Sequence, residues 1–412
     1  MDGLTAFYVL AIVIGLYMAW NIGANDVANA MGTSVGSGAL TLRQAILVAA
    51  VFEFAGAVLV GAHVAETIKG EIIPPEIFLD SPEQYMFGMA GALFGAATWL
   101  LVATAFGLPV STTHSIVGAV VGFGLVSVGP EAVAWGTMAS IVLSWIVSPV
   151  CGATIGFLIF TFIRRAILLD EDPYEATIRW APHLVALVGF ILGLSILYKG
   201  LENLNLDFPF WIAGPLCVAI GAGVGLGMRT WLRRRPRPAG HGAPAVERLF
   251  GGLQVVTACF VAFAHGANDV ANAIGPMAGI VQIRSQGSMS GEAPVPFWLL
   301  LVGGAGIVAG LGTYGYKVID TVGRKITTMT PTRGFSAEFG TATTVLVASR
   351  LGLPISTTHT LVGAVVGVGF ARGMAALDLR VIRNIISSWV VTIPAAAGVT
   401  VLCYFALEAL FG

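Results

Sequence analysis

Two short stretches hold the groups with which this chain could do chemistry. Gly23-Ala24-Asn25-Asp26-Val27-Ala28-Asn29-Ala30 sets a carboxylate between two carboxamides, and the same eight residues return unchanged as Gly266-Ala267-Asn268-Asp269-Val270-Ala271-Asn272-Ala273. Both lie in apolar runs, where an ionisable side chain is costly and faces a cavity or a ligand instead of lipid. A carboxylate with carboxamide and backbone oxygens is a hard-oxygen set, suited to Na⁺ or to protons. Asp26 and Asp269, with Asn29 and Asn272, are therefore the candidate cation ligands. Asn25 and Asn268 serve either as ligands, extending to a bound anion, or as parts of a helix break. The bland alternative is a pair of buried hydrogen-bond networks. Glycine and asparagine are poor helix formers, so a broken helix is expected at each motif, freeing backbone groups for coordination.

A second duplicated stretch offers the opposite chemistry. Gly107-Leu108-Pro109-Val110-Ser111-Thr112-Thr113-His114 is matched by Gly352-Leu353-Pro354-Ile355-Ser356-Thr357-Thr358-His359. Proline before hydroxyls and an apolar helical pattern reads as a turn into a helix N-terminus. Free N–H groups and the dipole make such an end an anion site, and Ser111, Thr112, Thr113, Ser356, Thr357 and Thr358 add hydroxyl donors. Neither motif contains Lys or Arg, so co-bound cations and helix dipoles would balance the anion's charge. The competing reading is that the hydroxyls merely cap short helices. His114 and His359 are donors to the anion or local caps. Glu53 and Glu338 are lone acids in apolar surroundings and join the candidate coupling-ion ligands.

The elements that must position these groups are membrane helices. The 412 residues are 56% hydrophobic and only 10% charged, against roughly 25% charged in soluble proteins. A net charge of -1 excludes a large nucleic-acid surface. Four cysteines sit singly in apolar runs without metal-ligand spacing, and no P-loop is present. Apolar stretches of spanning length fall at about 5–37 and 43–68, then as a pair, 85–105 and 115–128, around the first Ser-Thr-Thr-His. Others fall at 136–163, 181–200 and 208–228. A basic linker then precedes a second series built like the first, with its own pair at 337–350 and 361–373. Between Gly107–Gly124 and Gly352–Gly369, 14 of 18 positions are identical, and Ser144-Trp145 returns as Ser388-Trp389. The chain is an internal duplication: residues 1–165 and 248–412 are the repeats, and 166–247 hold two linking helices and the linker.

Orientation follows from basic residues, which favour the cytoplasmic side. Reading each apolar pair as a hairpin that enters and leaves on one side puts Arg43, Arg164, Arg165 and the Arg229–Arg248 linker inside. The second hairpin, flanked by Arg324, Lys325, Arg333, Arg372, Arg380 and Arg383, also enters from inside. The first then enters from outside, both termini lie outside, and an odd number of crossings makes the repeats inverted. The expected fold is all-α and polytopic, with two inverted repeats, each holding a broken helix and a re-entrant hairpin, about 10–12 helices in all.

On both Gly-Ala-Asn-Asp-Val-Ala-Asn-Ala copies, both Gly-Leu-Pro-[Val/Ile]-Ser-Thr-Thr-His copies and the stretch from Thr330 to Glu338, the chain resembles the inorganic phosphate transporter (PiT) family. The resemblance spans nearly everything except the 165–245 middle. It implies a cation-coupled phosphate symporter of the cell membrane, often dimeric, whose membrane acids match Asp26, Glu53, Asp269 and Glu338. The large soluble loop of the animal members is replaced by the short basic linker. Coupling to Na⁺ is expected, because two acidic motifs rich in oxygen ligands suit an alkali cation better than one titrating acid. Phosphate is expected over sulfate, because HPO₄²⁻ brings a donor that the hydroxyl cradle can accept. No cofactor is expected. The alternatives are an H⁺-coupled phosphate or metal–phosphate symporter, a sulfate permease and an anion channel. An intramembrane hydrolase using Ser111 or Ser356 ranks last, since duplicated nucleophile sites are unusual.

Overall fold

The computed structural model describes residues 3–197, 209–235, 242–286, 294–320, 322, 328–373 and 377–412. Arg237, Arg324 and Lys325, used above for orientation, lie outside them. The first half contains α1 (Gly3–Gly36), α2 (Leu42–Val60), α3 (Ala62–Glu66), α4 (Pro82–Ala105), α5 (Thr112–Ser127) and α6 (Trp135–Ile163). Two helices follow, α7 (Pro173–Leu197) and α8 (Phe210–Arg234). The second half contains α9 (Ala243–Asp269), α10 (Ala271–Gln286), α11 (Phe297–Thr313), α12 (Tyr316–Asp320), α13 (Pro331–Arg350), α14 (Thr357–Arg372) and α15 (Leu379–Phe411). Eight spans among the described residues are long and apolar enough to cross a membrane. The arms α5 and α14 are 16 residues each, too short to cross a roughly 30 Å hydrocarbon core upright.

Both hairpins turn by the same local chemistry. Gly107 (φ 66°) and Gly352 (φ 67°) take the left-handed conformation that glycine reaches without strain. Leu108 N–H donates to Ala103 O and Leu353 N–H to Ala348 O, both at 3.0 Å or less, closing α4 and α13 in the glycine-terminated manner. Ser111 and Ser356 then cap the return helices, each Oγ accepting from the histidine N–H three residues on at 3.1 Å. These two serines thus cap their helices, as the competing reading had it, while their own O–H groups remain available as donors.

The expected helix break is corrected at the first motif, which lies inside the 34-residue helix α1. At the second, only Val270 separates α9 from α10, and its backbone is itself right-handed helical. The glycines serve close approach instead of unwinding. A Cβ on Gly23 would run into the backbone of Ile307 on α11, and one on Gly266 would run into the backbone of Glu53 on α2. Gly310 and Gly56 return these contacts against Trp20 and Phe263. Small residues let membrane helices meet backbone to backbone, and here each motif helix is gripped by a helix of the other half. The same exchange recurs around the hairpins, where α6 packs on α13 and α14 and α15 packs on α4 and α5.

Candidate functional site

The interlocked halves bring both acidic motifs and both hairpin tips to one buried place. Asp26, Asn29, Asp269, Asn272 and all three hydroxyl residues of each hairpin are buried. One carboxylate oxygen each from Asp26 and Asp269 and a ring nitrogen of His265 all lie within 4.8 Å of one another. Two carboxylates at that separation repel by about 3 kcal/mol at an effective dielectric of 20, so the arrangement calls for positive charge between them.

Around this centre the hydrogen bonds cross from half to half. Asn29 Nδ2 donates to Asp26 Oδ1 (2.7 Å) and to Thr358 Oγ1 of the opposite hairpin (2.8 Å). Asn272 Nδ2 reciprocates toward Thr112 (3.1 Å) and Thr113 (3.3 Å). Thr113 donates to Ile355 O at 2.8 Å, and Thr358 to Val110 O at 3.2 Å, so each hairpin tip is pinned to the other. Thr357 Oγ1 donates to Asp269 Oδ2 at 2.8 Å. Carboxylate, carboxamide, hydroxyl and carbonyl oxygens thus converge beside two helix N-termini: a cation-binding chemistry set against an anion-binding one.

Asn25 and Asn268 are engaged differently from the other asparagines. Asn25 Nδ2 donates to Thr104 Oγ1 (2.8 Å) and Leu108 O (3.1 Å), and its Oδ1 accepts from Val110 N (3.3 Å). The Asn268 carboxamide meets Ser349 Oγ at 3.1 Å, the matching place in the second half. These two residues clasp each motif helix to the tip of its own hairpin. The histidines of the hairpins meet at the seam. Their rings lie 4.3 Å apart, with Trp145 packed on His114 at 3.8 Å and Trp389 on His359 at 3.5 Å.

The two lone acids part company. Glu53 is drawn to the centre through His265, whose Nδ1 lies 3.4 Å from Glu53 Oε2 and whose Nε2 lies 2.8 Å from Asp269 Oδ2 and 3.7 Å from Asp26 Oδ2. Glu338 is bonded to another group of side chains. Its Oε1 accepts from Thr33 (2.7 Å), Ser34 (2.6 Å) and Gln254 (3.0 Å), and its Oε2 from Thr257 (2.5 Å). With four donors on one carboxylate, Glu338 ties α1, α9 and α13 together.

His265 was missed by sequence reasoning, and the duplication carries the signal that finds it. It stands immediately before the second motif, where the first copy has Ile22. Its partner Glu53 stands where the other half has Ile307, since Gly266 abuts Glu53 as Gly23 abuts Ile307. Ile22 and Ile307 are buried too. One helix crossing carries two buried isoleucines, and its counterpart an imidazole and a carboxylate.

A sequence profile described as the phosphate transporter family matches residues 22–400. A chain of Pyrococcus abyssi named as a candidate phosphate permease is 48% identical over 96% of each chain. One of Chlamydia muridarum, named likewise, is 46% identical over 98% of this chain and 99% of that one. A solved structure titled "The sodium-dependent phosphate transporter" superposes with a TM-score of 0.93 at 43% identity, covering 98% of this chain and 99% of that one.

Proposed function

Because the chain belongs to the phosphate transporter family, and is thus a multi-pass cell-membrane transporter of phosphate and not an enzyme, we propose that it is a Na⁺-coupled symporter. The observation that carries this reading is the convergence of Asp26 and Asp269, one from each half, within 4.8 Å beside the two hairpin tips. Na⁺ is held by these carboxylates with Asn29, Asn272 and the threonine and carbonyl oxygens around them. Phosphate is held by the N-termini of α5 and α14 and by the hydroxyls of Ser111, Thr112, Ser356 and Thr357, while Thr113 and Thr358 keep the two tips pinned together beside it. Asn25 and Asn268 set the hairpin tips, and His114 and His359 form the seam between them. The relative titled as sodium-dependent supports the choice of cation.

The geometry also supplies a reason for coupling. The Thr357 hydroxyl donates a hydrogen bond to Asp269 Oδ2. A cation on that oxygen competes for the same lone pair and turns the hydroxyl toward the anion, while adding the positive charge that the anion lacks. Cation and phosphate therefore bind better together than apart. Residues 1–165 and 248–412 act as inverted repeats, the linking segment 166–247 joins them, and the hairpins gate opposite faces. The working unit is a homodimer, as the family resemblance implies.

One observation favours a second reading, H⁺ coupling: an imidazole placed among Asp26, Asp269 and Glu53 is a proton-carrying arrangement. Sealed vesicles containing the purified protein separate the two. Labelled phosphate accumulates under an inward Na⁺ gradient at constant pH, and unlabelled sulfate competes poorly. Uptake that ignores Na⁺ and follows an imposed pH gradient overturns Na⁺ coupling. Equal competition by sulfate overturns the phosphate preference.

A further inference from the structure

The pair α7 and α8 stands outside the exchange of helices between the halves and carries its own cavity. A groove of about 540 Å³ runs between them, lined by Ala186, Leu187 and Phe190 of α7 and by Val218, Ala222 and Leu226 of α8. It exists because the two backbones converge on one side of it: a Cβ on Gly225 would fall 2.8 Å from Pro182 O, and one on Gly221 would fall 2.6 Å from Ala186 O. From Pro182 to Phe190 the helix rises about 12 Å, a length of apolar wall suited to an extended hydrocarbon chain.

The two walls end alike. On α7 the stripe of Phe190, Ala186 and Pro182 continues to His183 and then Arg179, while on α8 Val218, Ala222 and Leu226 continue to Arg229 and then Arg233. His183, Arg179, Arg229 and Arg233 are all exposed. Glu175 lies one turn beyond Arg179, and Trp231, with Arg235 stacked 4.3 Å above its ring, marks the level where the helix leaves the hydrocarbon. An apolar groove closed at one end by cationic side chains at interface depth has the complementarity of an anionic phospholipid.

We propose that the α7–α8 groove binds one acyl chain of an anionic phospholipid, with its headgroup phosphate held by Arg229 and Arg233. A second copy of the chain fits less well. A copy covering the groove about a two-fold axis that passes beside it, normal to the membrane, would bring Arg229 and Arg233 against their own images, setting like charges together at the edge of the hydrocarbon. The lipid instead neutralises them. The inference is independent of the transported ion, since none of these residues belongs to the central site.

Native mass spectrometry of the purified full chain tests it, with phosphatidylglycerol and phosphatidylcholine of identical acyl chains as probes. The wild-type protein retains phosphatidylglycerol more tightly by a factor on the order of ten, the preference that two interfacial arginines give. Inorganic phosphate at matched ionic strength does not displace it. The double variant Arg229→Gln/Arg233→Gln retains both lipids equally, and Ala222→Trp, which fills the groove and keeps both arginines, loses the bound phosphatidylglycerol. Equal retention of the two lipids by the wild type overturns the proposal, and so does unchanged retention by either variant. A shift from dimer to monomer in Ala222→Trp also overturns it, because the groove would then be covered by a second copy.

Discussion

Asp26→Asn and Asp269→Asn are each expected to slow Na⁺-driven phosphate uptake at least tenfold, and by similar factors. A unit charge about 4 Å from a bound cation contributes about 4 kcal/mol at an effective dielectric of 20. The asparagine oxygen still coordinates, which returns part of that, so a tenfold to hundredfold loss remains. The effects are comparable because each motif meets the opposite hairpin in the same way: Asn29 with Thr358 on one side, Asn272 with Thr112 and Thr113 on the other. Amide and acid have nearly the same shape, so both variants fold. Uptake by each purified variant across a range of Na⁺ concentrations is the check. A variant with normal uptake and unchanged Na⁺ dependence would assign its aspartate to structure alone and leave a one-sided site.

The second large effect is expected at His265. Removing the imidazole in His265→Ile leaves Glu53 and Asp269 as buried carboxylates without the group that faces both. Breaking such a buried pair costs about 3–5 kcal/mol, enough to lower the melting temperature and the yield of folded protein. The duplication itself supplies the rescue. The equivalent crossing carries the buried Ile22 and Ile307, so His265→Ile combined with Glu53→Ile places there the apolar pair that this fold already uses. The double variant is expected to recover wild-type thermal stability while phosphate uptake stays at least tenfold down. That split separates a positioning role at the cation site from simple packing. Recovery of both stability and uptake would make the pair structural, and failure to recover stability would mean that the two crossings are not equivalent.

These residues also show what was and was not legible in the sequence. Two unchanged octapeptides and two matched hydroxyl motifs were enough to place Asp26, Asp269 and both hairpins at one centre, because identical local sequence meets identical local demand. Turn chemistry was equally local: Gly107 and Gly352 end one helix, and Ser111 and Ser356 start the next. Helix continuity at Gly23 was not legible. Glycine lowers helix stability by about 1 kcal/mol in isolation, but here it admits the backbone of Ile307, a partner far along the chain that no local pattern names. The donors to Glu338 were hidden for the same reason, since Thr33 and Ser34 come from α1 and Gln254 and Thr257 from α9, all far along the chain from α13. His265 was legible in principle, as an ionisable residue that replaces Ile22 between the two copies.

Equilibrium binding of labelled phosphate to the purified protein, in Na⁺ and then in choline at the same ionic strength and pH, tests most directly whether cation and anion share one centre. Affinity in Na⁺ is expected to exceed that in choline by at least tenfold, and the difference should collapse in both Asp26→Asn and Asp269→Asn. Equal affinity in the two salts, with both variants binding as the wild type does, would contradict a phosphate site completed by Na⁺.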